Sequence, residues 1–115
     1  MTEEKKLQAM LLAFLKTNGI YCFKTMANNK SGVPDVIACI EGVFFAFEVK
    51  GSKGMISRLQ QKHLQDIQQN KGMAFLIRPN NYLSVTGKIK QFQDKFKKKL
   101  DSKIITLNTK NKLKE

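Results

Sequence analysis

The tightest constraint on the fold lies between residues 35 and 50, where two short β-prone runs are separated by only two residues. Asp35 to Ile40 reads as one strand and Val43 to Lys50 as the next, with Glu41-Gly42 between them. A two-residue link containing Gly between such runs predicts an antiparallel hairpin. Pro34 stands directly before Asp35 and cannot continue a ladder upstream. Side chains alternate along a strand, so Val43, Phe45, Phe47 and Val49 share one face. That face is wholly apolar and is the expected core face. The other carries Phe44, Ala46, Glu48 and Lys50 and ends in two charges. Asp35 and the Glu48–Lys50 region each lie about six residues from the turn, so the hairpin sets them side by side.

The flanking segments supply the rest of one domain. Leu7, Leu11, Phe14 and Leu15 recur at helical spacing over residues 3–18, with Thr2 to cap the start and Asn18-Gly19 to end it. Ile20 to Lys24 reads as a strand, and residues 25–34 as a loop rich in turn formers. After the flexible Gly51-Ser52-Lys53-Gly54, Ser57 is a plausible cap for a helix over about 58–70, closing at Asn70-Lys71-Gly72. Met73 to Ile77 is a short apolar strand ended by Pro79-Asn80-Asn81. Ile89, Phe92, Phe96 and Leu100 predict a helix over 88–100, and Ile104 to Leu107 a short strand before the tail frays. The resulting order is α-β-β-β-α-β-α, an α/β chain with a mixed sheet flanked by helices, and 1–115 is read as a single domain.

Charge and cysteine content narrow the function. The chain has 21 Lys and Arg against 9 Asp and Glu, a net charge of +12, which favours a polyanionic partner. Residues 88–115 alone hold ten Lys and three acids, a Lys-rich helix and tail. No apolar run approaches the roughly 20 residues of a membrane span, and the polar, acidic start is unlike a signal peptide, so a cytoplasmic protein with no membrane partner is expected. Cys22 and Cys39 are too few for a disulfide framework and are expected as small buried hydrophobes. The single His63 does not complete a zinc site with them at a usual spacing and is read as a packing residue, as are Met10, Met55 and Met73.

Two carboxylates and a lysine at one open end of a sheet have a direct chemical use. The carboxylates of Asp35 and Glu48, with the backbone carbonyl of Val49, form an incomplete oxygen-ligand set for Mg²⁺ that leaves room for water and a phosphate. Mn²⁺ is the expected substitute. Lys50 can orient the water and stabilise developing charge.

The run Ser31-Gly32-Val33-Pro34-Asp35, followed by Phe47-Glu48-Val49-Lys50, resembles the signature of the PD-(D/E)xK nucleases, and specifically their VRR-Nuc branch. The similarity continues through Gly54 to Gln60, Leu64, Ile67 and Gly72 to Phe75, and spans about residues 4–78. It implies a restriction-endonuclease-like fold, with Asp35 and Glu48 as metal ligands and Lys50 as the catalytic lysine. It also carries Gln60 into the site. Helical geometry agrees, since Gln60 lies within the stripe of Ile56, Leu59, His63, Leu64 and Ile67; the alternative is a glutamine bonded to backbone. Where the family carries a Glu on its first helix this chain has Gln8, with Glu4 one turn earlier on that face, so Glu4 or Gln8 is the candidate for a further ligand. Lys24 matches a basic position of the family and is assigned to phosphate contact, and Lys30, Ser31 and Lys53 are assigned to DNA with it. The resemblance implies a metal-dependent, structure-selective DNA endonuclease of the Holliday-junction-resolvase kind, stand-alone and phage-type, acting on a four-way junction as a homodimer in a bacterial or phage-infected cell. A flap or duplex nuclease in phage DNA processing, and a non-catalytic DNA-binding protein, are the alternatives.

Overall fold

Thr2 caps the first helix, α1 (Glu3–Thr17), its hydroxyl accepting the Lys5 N–H at 3.1 Å. Glu3 and Glu4 in the first turn suit the positive end of the helix dipole. The computed structural model describes residues 1–26 and 31–111, with side chains described through residue 97. After α1 come β1 (Tyr21–Lys24), β2 (Val36–Ile40), β3 (Val43–Val49), α2 (Arg58–Gln69), β4 (Met73–Ile77) and α3 (Tyr82–Asn111). The order α-β-β-β-α-β-α is the one the sequence predicts.

The strands form one mixed sheet in the order β1-β2-β3-β4. The first two pairings are antiparallel and β3–β4 is parallel. A parallel pair needs a crossover, and α2 provides it. The hairpin closes as expected at Glu41 and Gly42, whose φ values of 52° and 80° are both positive, as a type I′ turn requires. It sets Val36 opposite Phe47 and Ile40 opposite Val43.

The face of β3 that is apolar by alternation is the core face. Phe45, Phe47 and Val49 pack with Val36, Ala38 and Ile40 of β2, Ile77 of β4, Leu7, Leu11 and Leu15 of α1, and Val85 and Ile89 of α3. Phe92 meets the Phe45 ring edge-on at 5.4 Å and ties α3 to the sheet. Strand β3 is central, and on its other face Ala46 and Glu48 are buried as well. Helix α2 lies over that second face, with Gln68 donating from Nε2 to the Ala74 carbonyl at 3.2 Å. It covers the face only in part, and Leu64 is its one buried residue.

Several expectations are corrected. Helix α3 begins at Tyr82, six residues before the predicted 88, and runs on through the predicted strand at Ile104–Leu107. A strand requires a ladder partner, whereas Phe96, Leu100, Ile104 and Leu107 simply continue the helical spacing of Ile89 and Phe92. Residues 112–115 of the tail lie outside the described residues. Cys39 is exposed, because α2 leaves the β1–β2 end of its face open, whereas Cys22, opposite Ala38, is half-buried against the core on the other face. Met10, Met55 and Met73 are exposed too, so they do not serve as core packing. None of the described helices is long and apolar enough to cross a membrane.

The end of α2 differs in detail from its prediction. The left-handed position is held by Lys71 at φ 72°, and Gly72 follows it. The Gly72 N–H donates to the Ile67 carbonyl at 2.9 Å and the Lys71 N–H to Gln68 at 3.0 Å, a Schellman closure. Gly72 is required for space, since a Cβ there would sit 2.7 Å from Ile67 Cγ2 and 3.2 Å from the Phe44 carbonyl oxygen. Lys71→Gly is therefore expected to stabilise the protein by about 1 kcal/mol, read as a higher denaturation midpoint. A midpoint that does not rise would show that Lys71 is unstrained.

Candidate active site

The site is built at the end of β3 where the hairpin opens. Continuing the Val36↔Phe47 register by one step places Asp35 opposite Glu48, so the two carboxylates face each other across the β2–β3 pair. Thr25 fixes the approach to Asp35. Its N–H donates to the Asp35 carbonyl at 2.9 Å, and its hydroxyl to the Pro34 carbonyl at 2.7 Å. The Asp35 carboxylate accepts the Val49 N–H at 2.8 Å through Oδ2. In an extended strand a residue's N–H and C=O point to the same side, so the Val49 carbonyl also faces the Asp35 side.

Glu48 is 2% exposed, and its Oε1 is a buried oxygen with no hydrogen-bond partner. Its Oε2 lies 3.9 Å from Lys50 Nζ, an ionic contact longer than a hydrogen bond. Burial, and then the neighbouring Asp35 carboxylate, push the Glu48 carboxyl up to about 8, against the weaker pull of Lys50. The charge of Glu4 adds the smallest upward push, which places that helix residue within electrostatic reach of the site. Gln8 is buried on the same helix.

Ionising Glu48, with its orphaned buried oxygen, next to the Asp35 carboxylate would leave more negative charge than the surroundings neutralise. A divalent cation fits this donor set, because it would satisfy the unpartnered oxygen and remove the repulsion. Asp35, Glu48 and the Val49 carbonyl would hold it. No cluster of three or more His, Cys, Asp or Glu side chains occurs among the described residues. With so few protein ligands, water and phosphate oxygens would have to complete the shell of such an ion, as they usually do for Mg²⁺.

The remaining candidates divide. Gln60 is half-buried, and its side-chain Oε1 accepts the Ser57 N–H at 2.9 Å while its own N–H donates to Ser57 Oγ at 3.1 Å. This is a capping box, so the Gln60 oxygen is engaged with backbone and only its amide nitrogen is left to reach a substrate. Lys24, Ser31 and Lys53 are exposed on the surrounding loops and strand end. Lys30 lies outside the described residues. The Ser31 carbonyl pairs with His63 Nε2 at 3.1 Å, which gives His63 a role in holding the loop to α2.

Four residues at the site were missed from the sequence. Thr25 holds Asp35 as described. Glu3, Ser52 and Arg78 fix the loop after Lys50. Glu3 accepts from Ser52 N at 2.6 Å and from Ser52 Oγ at 2.9 Å, and the Ser52 amide is the main cause holding the Glu3 carboxyl below the usual range. Arg78 donates through one guanidinium nitrogen to the carbonyls of Gly51 at 2.9 Å and Gly54 at 2.7 Å. A signal for Arg78 was present: it is one of only two arginines among 21 basic residues, placed directly after a buried strand.

Neither a scan of protein-family models nor a search of curated proteins finds a match to this chain.

Proposed function

We infer that this protein is a Mg²⁺-dependent, structure-selective DNA endonuclease, with the branched four-way junction as its substrate. The observation that carries the reading is Glu48, a carboxylate buried at the end of the central strand with one oxygen unpartnered, opposite Asp35 and beside Lys50. Burying such a group without compensation is costly, and a cation site gives the arrangement a purpose. The net charge of +12 suits a polyanionic substrate. The resemblance of Pro34-Asp35 and Glu48-Val49-Lys50 to the VRR-Nuc signature supports the same reading.

When bound, the metal ion polarises the phosphoryl group and lowers the pKa of water. Asp35 and Glu48, neighbours across the β2–β3 pair, would hold it, and Glu48 would give up the proton it otherwise retains. Lys50, only 14% exposed, directs its ammonium into the site, where it can hydrogen-bond the attacking water or a phosphate oxygen. The water oxygen bonds to phosphorus and gives up a proton to solvent as the bond from phosphorus to the leaving sugar oxygen breaks, and that oxygen takes up a proton from solvent.

Symmetrical cutting of a junction needs two active sites, and hence a homodimer. Labelled four-way junction, flap, linear duplex and single strand, each with Mg²⁺ or EDTA, test the substrate. Paired cuts in the junction with Mg²⁺ are expected, together with a dimer mass in solution. Cutting of duplex or flap alone would keep the nuclease and exclude the resolvase. Binding without any cutting would favour the non-catalytic DNA-binding protein, for which the buried Glu48 has no use.

A further inference from the structure

Lys50 carries the longest side chain of the candidate site, and its nearest charged partner lies beyond hydrogen-bonding distance, at 3.9 Å. A free lysine side chain has about 2 kcal/mol of rotamer entropy to lose on being fixed. The contact that fixes it comes from the following loop. A Cβ built on Gly54 would lie 3.3 Å from Lys50 Cδ and 3.4 Å from Lys50 Cβ, so the lysine stem lies alongside Gly54, next to the space a side chain there would take.

That backbone is gripped from two elements distant in sequence. From the end of β4, one Arg78 nitrogen spans the Gly51 and Gly54 carbonyls. The Gly54 N–H closes the turn onto the Gly51 carbonyl at 3.3 Å. From the start of α1, the Glu3 carboxylate takes both the N–H and the hydroxyl of Ser52. The Lys50 N–H donates to the Ile77 carbonyl at 2.9 Å, so the residue before Arg78 also anchors the Lys50 backbone. Asn81 steadies this end of β4, accepting the Arg78 N–H at 2.7 Å and donating to the Leu76 carbonyl at 2.8 Å.

We propose that Arg78, assisted by Glu3, is a positioning residue that holds the 51–54 loop as a wall against Lys50 and so keeps the Lys50 ammonium aimed at the Glu48 side of the site. The catalytic consequence rests on the nuclease reading above, and the ordering of Lys50 does not. Charge-assisted hydrogen bonds to two carbonyls are among the stronger single contacts available to a loop. A catalytic group displaced by about 1 Å can lose ~100-fold in rate.

The test compares Arg78→Met, which keeps an unbranched stem and removes the donors, with Arg78→Lys, which keeps a cationic donor. Relaxation of the Lys50 side-chain carbons is measured by NMR in the full chain without DNA or metal, alongside steady-state cleavage with Mg²⁺. In Arg78→Met the Lys50 side chain becomes mobile, and kcat falls roughly 10- to 100-fold with KM within about threefold. Arg78→Lys recovers most of both. If Arg78→Met does not fold, Glu3→Ala releases the loop from the other side and carries the same expectation for Lys50. Lys50 remaining as ordered in the variant as in the wild type overturns the proposal, as does a rise in KM alone. A wild-type protein that cuts no DNA overturns the nuclease reading instead, while the relaxation measurement still decides the positioning role.

Discussion

Glu48→Gln is expected to melt higher than the wild type at pH 8 without metal, by roughly 5–10 °C, while losing nearly all cleavage activity. The sign follows from the raised carboxyl. Below about 4.5 the group is protonated both folded and unfolded and costs nothing. Between 4.5 and about 8 the unfolded chain releases the proton more readily, so folding stability declines as pH rises; above about 8 the cost is complete. Gln keeps the shape and removes the charge, so its advantage over the wild type widens from pH 5 to pH 8 and then levels. Mg²⁺ should raise the wild-type melting temperature at pH 8 and leave that of Glu48→Gln unchanged. Thermal melts at several pH values, with and without Mg²⁺, check this. A Glu48→Gln advantage that is flat with pH would mean the carboxyl is not perturbed.

Asp35 separates structure from chemistry by the choice of replacement. Asp35→Asn keeps an oxygen to accept the Val49 N–H, so the hairpin end remains satisfied and the melting temperature stays close to the wild type. Its cleavage rate should fall by about 10³-fold, because a carboxylate ligand is lost. Asp35→Ala loses the same activity and a further ~1–3 kcal/mol of stability, since the Val49 N–H is left without its partner. Denaturant midpoints and single-turnover rates for the pair distinguish the two effects. Equal stability of the Asn and Ala variants would remove the structural role assigned to the Asp35–Val49 bond.

The hairpin was legible because its constraints are local. Two positive-φ positions at Glu41-Gly42 and an alternating apolar face determine register, and register alone brings Asp35 to Glu48. Helix α1 and its Thr2 cap, and α2 with its Ser57 cap, were readable for the same reason. The burial of Glu48 was not, because it depends on β3 being the central strand with α2 over its second face, a matter of tertiary arrangement. Alternation separates that face from the core face but does not report what covers it. Gln60 lay on the stripe expected for a site residue, yet the S-x-x-Q spacing from Ser57 that marks a capping box claims its oxygen. Thr25, Glu3 and Arg78 act across loops of long sequence separation, where no periodicity reports on contact. The strand expected at Ile104–Leu107 failed because β-branched residues favour a strand only where a sheet edge is there to receive them.

Cleavage of a labelled four-way junction by the wild type and by Lys50→Ala, in Mg²⁺ and in EDTA, tests the central claim most directly. The wild type should cut with Mg²⁺ and not with EDTA, and Lys50→Ala should bind the junction with similar affinity yet cut at least about 100-fold more slowly. Cutting in EDTA, or a Lys50→Ala protein that cuts at the wild-type rate, would contradict an active site built from Asp35, Glu48 and Lys50.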